Sequence, residues 1–139
     1  MQRDKGYRAG SGVTPLISIV DDDESVRDSI RDLIEAVGLR AEVFGSAQEF
    51  LLTFLKASPV SETACLILDV QMPWFTGIEL QEWLSEWSRT IPIIFITAHA
   101  DKEVRQQALA AGAAGFLYKP FSAEALLDSV NAALKRSRN

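Results

Sequence analysis

Histidine and cysteine are almost absent: the 139 residues hold one of each, His99 and Cys65. A lone cysteine excludes an internal disulfide, and one thiol with one imidazole cannot build a nitrogen- or sulfur-rich metal site. Cys65, between Ala64 and Leu66, is expected to be a small buried residue. Positive charge is also short. Fourteen Lys and Arg stand against nineteen Asp and Glu, a formal net charge of −5, which argues against a nucleic-acid surface because neutralising phosphates takes clustered cations. Long apolar runs are missing as well. Stretches such as 91–97 have strand length, far below the ~20 residues that a membrane helix needs. The polar, glycine-containing residues 1–11 have no apolar core of the kind a signal peptide carries, so no membrane association and a cytoplasmic location are expected.

What the chain does have is the balance of a globular domain, with 47% hydrophobic and 24% charged residues and enough length for one core. Residues 1–14, with three glycines and no apolar periodicity, are expected to form a flexible leader. The domain is placed at 15–136, and 137–139 is a tail or the start of a linker.

Along the domain, short apolar runs alternate with helical periodicity. Leu16 to Val20 empties into the acidic stretch Asp21, Asp22, Asp23 and Glu24. Val26, Ile30, Leu33, Ile34 and Val37 then recur at helical spacing, with Ser25 as an available cap and Gly38 as a stop. Ala41 to Phe44 reads as a second strand, and Ser46 with Glu49 as a capping box before a second helix. Ala64 to Val70 is a continuous apolar run broken by Asp69, as expected for a central strand covered on both faces. The periodicity predicts a helix over 77–87, strands over 91–97 and 115–119, and further helices over 101–111 and after Ser122. Strict strand–helix alternation implies an α/β fold, an open parallel sheet with helices on both faces, whose ligands gather beyond the carboxyl ends of the strands.

Those ends carry the polar residues worth weighing: Asp21 and Asp22, Asp69, Thr97 and Lys119. Any one of them alone is more simply a turn or cap residue. Together, however, three carboxylates without a nitrogen or sulfur partner favour a hard divalent ion, and Mg2+ suits a small open cluster, with Asp22 and Asp69 as direct ligands. Lys119 can meet a phosphoryl oxygen and Thr97 can donate its hydroxyl to another. Asp69, ending an apolar run, is the preferred nucleophile for phosphoryl transfer.

The stretches IVDDDESVR (19–27), LILDVQMPWFTGIEL (66–80), IIFITAHAD (93–101) and GAAGFLYKPF (112–121), in this order and spacing, resemble the receiver domains of two-component response regulators from about Leu16 to Leu134. The wording ITAHAD and YKPF, with Phe116, is most similar to the FixJ and NarL side of that family. The resemblance implies a flavodoxin-like (CheY-like) three-layer sandwich with five helices and a five-stranded parallel sheet of order 2-1-3-4-5. It implies Asp69 as phosphoacceptor, with Thr97 and Lys119 assisting, and Thr97 and Phe116 as the switch pair. Mg2+ would be held by Asp22, Asp69 and the Gln71 backbone carbonyl, with Asp21 acting through water. It further implies a cis peptide before Pro120 and influence of Gln71 and His99 on phosphoryl lifetime. The implied partners are a cognate histidine kinase and either an output DNA-binding domain or a second copy of the chain, and the implied output is control of transcription. Catalysis would be limited to the domain's own phosphotransfer and dephosphorylation.

Two other readings belong to different classes. A receiver-like module that binds a partner without phosphorylation would not need the Asp22, Asp69, Thr97 and Lys119 set. A phosphatase of the haloacid dehalogenase type would want an Asp where Gln71 stands. Trp74 departs from the family loop and reads either as a lid or partner contact near the site or, more simply, as a ring packed against the loop after the first strand, whereas Trp83 and Trp87, four residues apart on the third helix, are expected in core or contact roles.

Overall fold

Parity along three strands decides the layering. Leu16, Val20, Leu66, Leu68, Ile93 and Phe95 belong to one apolar cluster, and Ile17, Ile19, Cys65, Ile67, Ile94 and Ile96 to another. Side chains alternate across a strand, so these sets face opposite sides of one sheet, which needs cover on both. A computed structural model describes residues 14–56, 59–72, 76–86, 91–99 and 101–137. In it β1 (Leu16–Val20), α1 (Glu24–Ala36), β2 (Arg40–Phe44), α2 (Ala47–Phe54), β3 (Cys65–Asp69), α3 (Gly77–Glu86), β4 (Ile93–Thr97), α4 (Lys102–Ala110), β5 (Gly115–Tyr118) and α5 (Ala123–Ser137) alternate as expected. The strands pair in parallel in the order β2-β1-β3-β4-β5. Helix α1 supplies Ile30 and Ile34 to one layer and α5 supplies Leu126, Val130 and Ala133. The opposite layer takes Phe50 and Phe54 from α2, Leu80 and Leu84 from α3, and Ala108 from α4. Each fully buried Leu, Ile or Phe contributes roughly 1.5–3 kcal/mol to holding these layers together.

Chain order reverses between β1 and β3. The chain leaves β1 for the edge strand β2 and returns to lay β3 on the other side of β1, so the helices flanking that gap diverge and leave a crevice at the strand ends. No helix of the described residues is long and apolar enough to cross a membrane.

The element ends differ from expectation in instructive ways. Asp23, rather than Ser25, caps α1: its Oδ1 accepts from the Ser25 and Val26 amides and from the Ser25 hydroxyl. A carboxylate at a helix start also meets the positive end of the helix dipole. The hydrogen bond from the Ser25 side chain, followed by the Val26 amide, holds the Asp23 carboxyl below its ordinary range. Strand β4 begins at Ile93, two residues later than the apolar run suggests, because Pro92 has no N–H to add to the ladder, although its carbonyl accepts from the Leu66 amide. A 3-10 turn at Pro59–Glu62, unforeseen in the sequence, lets the buried Thr63 hydroxyl bond Ser18 and the Val60 carbonyl. Helix α3 starts with a full capping box, Thr76 with Glu79. Ser46 does cap the Glu49 amide, but the Glu49 carboxylate reaches back to the Gly45 amide. Ser122 accepts from Ala125 as expected.

At the C-terminal end of α4, Gly112 takes a φ of +99°, a conformation that favours glycine, and Ala113 donates back to the Ala108 carbonyl. The buried Gln81 of α3 donates to that same carbonyl through Nε2 at 3.2 Å, while no donor among the described residues meets its Oε1. Trp83 is half-buried against the layer beneath α3, as expected, whereas Trp74, Trp87 and residues 1–13 lie outside the described residues.

Candidate phosphoryl and metal site

Three strand ends and one loop build the site. Asp21 follows β1 directly and is fully buried, with each of its polar atoms engaged. Its amide donates to the Phe44 carbonyl (3.1 Å), its carbonyl accepts from Arg27 Nη1 (2.8 Å), Oδ1 accepts from the Asp23 amide (2.8 Å), and Oδ2 accepts from Lys119 Nζ (2.9 Å). Asp22 is exposed. Asp69 closes β3 with 5% of its surface accessible; its Oδ1 accepts from the Gln71 amide (3.1 Å) and its Oδ2 faces Lys119 Nζ at 3.4 Å. Carboxylate oxygens of Asp21, Asp22 and Asp69 all lie within 4.8 Å of one another. An oxygen-only donor set of this kind fits a hard divalent cation.

Two carboxylates around one ammonium leave a net negative pocket. Burial, and then the charge of Asp21, push the Asp69 carboxyl up to about 6 against the opposing pull of the Gln71 amide and Lys119. Burial on its own would lower the Lys119 pKa, but the hydrogen bond to Asp21 and the charges of Asp69 and Asp21 outweigh it and raise the ammonium above its ordinary value. Lys119 is therefore charged at neutral pH and leans toward Asp21. The peptide between Lys119 and Pro120 is cis.

The neighbouring strand ends are tied more loosely. Thr97 is buried, with its Oγ1 accepting from the His99 amide (3.1 Å) and its carbonyl accepting from the Lys119 amide (2.7 Å). Phe116 is half-buried, its ring 6.1 Å from Phe95 and 5.5 Å from Tyr118 between centroids. Gln71 and His99 are both exposed at the rim.

Asp21, Asp22, Asp69, Thr97 and Lys119 thus come to one end of the sheet, with Gln71 and His99 at its rim, whereas Phe116 sits further down β5, level with Phe95 in the middle of β4. Sequence reasoning missed Arg27 and Gly77. A Cβ on Gly77 would stand 2.7 Å from the Asp69 carbonyl oxygen and 3.1 Å from Val70 Cα, so α3 can start this close to β3 with glycine there. The Thr76–Glu79 spacing was a legible signal for that helix start, whereas nothing in the spacing of Arg27 told where its guanidinium would land. Cys65, fully buried with its thiol pushed up to about 12 by burial, is an inert core residue as expected.

A five-stranded parallel sheet of this order, with acid groups and a lysine beyond its carboxyl ends, defines a flavodoxin-like protein with a strand-end site. Residues 17–131 match the response regulator receiver domain, and the chain belongs to that family. It is 39% identical over 136 residues to Nodulation protein W of Bradyrhizobium diazoefficiens, covering 98% of this chain and 58% of that protein. It is 42% identical over 130 residues to the response regulator protein TodT of Pseudomonas putida, covering 94% and 56% respectively. The crystal structure of FixJ-N superposes with a TM-score of 0.78 at 30% identity, over 88% of this chain and 95% of that one. The chain thus spans little more than half the length of the curated relatives it matches, and the FixJ-like resemblance holds at the level of both sequence and fold.

Proposed function

We propose that residues 15–136 form a phosphorylation switch in which Asp69 accepts a phosphoryl group from a phosphohistidine of a histidine kinase. One Asp69 oxygen attacks phosphorus, the P–N bond breaks, and the imidazole leaves with a proton. The supporting observation is the convergence of the three carboxylates within 4.8 Å of one another around a lysine that touches two of them. Asp69 is the acceptor because its carboxylate ends the central strand and its two oxygens are held at 3.1 and 3.4 Å, whereas Asp21 is fully buried with its oxygens held at 2.8 and 2.9 Å. Asp22, Asp69 and the Gln71 carbonyl would hold Mg2+, with Asp21 standing one shell behind. When bound, the ion supplies positive charge against the phosphoryl oxygens.

Lys119 then exchanges part of its bond to Asp21 for a phosphoryl oxygen, and Thr97 turns its hydroxyl from the His99 amide toward another. That turn frees space beside β4, and Phe116 packs into it, altering the α4–β5 surface. This surface reports to an output domain or to a second copy of the chain, with control of transcription in the cytoplasm as the outcome. The chain turns over nothing beyond its own phosphoryl group.

Incubating the protein with acetyl phosphate or its kinase and Mg2+ tests the assignment. The expected result is a stoichiometric, base-labile label that Asp69→Asn abolishes. Stoichiometric labelling of that variant would refute Asp69, and an unlabelled wild-type chain would make this a partner-binding module instead.

A further inference from the structure

Asp22 is the exposed member of the acidic cluster, and its backbone lies between two anchored peptides, one joining it to Asp21 and one whose amide, from Asp23, donates to Asp21 Oδ1. The oxygen of the first is the Asp21 carbonyl, the group to which Arg27 Nη1 donates at 2.8 Å. Arg27 reaches it from the first full turn of α1, six residues away, and is itself half-buried. Its guanidinium is confined from the other side as well: a Cβ on Gly45, in the loop after β2, would meet Nη1 at 3.3 Å and Cζ at 3.9 Å. The same loop is fastened to α2 by the Gly45 amide on Glu49, and Phe44 beside it accepts the Asp21 amide. A single cation therefore ties α1 to the end of β1, beside the β2–α2 loop, at the peptide on the Asp21 side of Asp22.

We infer that Arg27 is a positioning residue for divalent-cation binding, acting through the Asp21–Asp22 peptide and not through its own charge; this rests on the reading of the acidic cluster as a Mg2+ site. Charge and position predict opposite signs. Removing a cation beside three carboxylates would tighten binding of a second cation, since one repulsion is lost. Releasing the peptide plane lets the Asp22 carboxylate leave the cluster and weakens it. Loss of a group that orients a ligand typically costs 10- to 100-fold in metal affinity.

Titrating the full chain with Mg2+ by isothermal calorimetry, with circular dichroism and urea midpoints as folding controls, separates the two. Arg27→Met is expected to bind Mg2+ about tenfold more weakly, and Arg27→Lys, which keeps one donor and the charge, to recover most of the loss. Equal or tighter binding by Arg27→Met overturns the inference. If Arg27→Met does not fold, Arg27→Gln decides, because the shorter side chain loses its reach to the Asp21 carbonyl: weaker binding supports the role, and unchanged binding overturns it. Asp22→Ala serves as the control. Should the wild type bind no Mg2+, or Asp22→Ala bind as well as wild type, the site reading fails and the Arg27 role with it. If both controls behave and Arg27→Met is unaltered, the Arg27 assignment fails alone.

Discussion

The two halves of the sheet are built to different tolerances. At the β1 and β3 ends every polar atom of Asp21 is bonded, Asp69 is buried between an amide and an ammonium, and α3 approaches as closely as a glycine allows. At the β4 and β5 ends the Thr97 hydroxyl holds one amide within its own loop, Phe116 is half-buried, and β5 is nowhere fully covered although β1, β3 and β4 are buried throughout. Chemistry at a charged acceptor wants fixed groups, because any slack adds reorganisation to the barrier. A surface that must change wants few committed contacts, because local opening is cheapest there.

Substitutions at the tight end should therefore cost more than those at the loose end. The largest effect is expected from Gly77→Ala, whose methyl would collide with backbone atoms of Asp69 and Val70 that cannot step aside. A loss of about 2–3 kcal/mol in urea unfolding is predicted. A loss below about 0.5 kcal/mol would show that the β3–α3 junction is as yielding as the far edge.

Asp69→Asn should shift stability in the other direction. With the folded carboxyl at about 6 against an ordinary 3.8, the wild type is most stable, as far as this group is concerned, below 3.8, and loses that contribution as pH rises through 6. In metal-free buffer at pH 7 the variant should be more stable by about 1–2 kcal/mol, less than the full linkage because the site edge is wet. The advantage should shrink on acidification and vanish near pH 4. A wild type that outlasts the variant at pH 7 would mean that the Lys119 contact outweighs burial and Asp21.

The smallest effect is expected from Tyr118→Ala. Tyr118 is 37% exposed and packs edge-on against Phe116. A cost below about 1 kcal/mol is predicted by thermal unfolding, since partial burial carries only a fraction of the full aromatic penalty. A larger cost would erase the contrast between the two ends.

Much of this was legible in the residues. Strand parity and the strand-end acids sufficed for the layered α/β fold and for the company of Asp21, Asp22, Asp69, Thr97 and Lys119, because period-two burial and chain reversal are local rules with one global solution. What escaped depended on through-space reach. Arg27 lies on a helix face where an arginine is usually solvated, and its landing on the Asp21 carbonyl depends on how α1 sits over β1. Capping went to Asp23 because a carboxylate two residues earlier outcompeted the Ser25 hydroxyl. Pro92 trimmed β4 while Ile91 remained buried, so hydrophobicity marked the core correctly and the ladder incorrectly.

The Ala108 carbonyl, which receives both Gln81 and Ala113, makes one end of α4 a pivot. The opposite end is capped by Asp101, whose amide donates to the His99 carbonyl at 3.0 Å, so that end is fastened only to the short loop after β4. The six residues from Ala108 back to Lys102 give a lever of about 9 Å, so a tilt of about 10° about Ala108 would sweep Lys102 through roughly 1.6 Å while Ala110 stays nearly still. Displacement along α4 would then be graded, and a partner gripping the Lys102 end would sense a swing that one seated near Gly112 would miss.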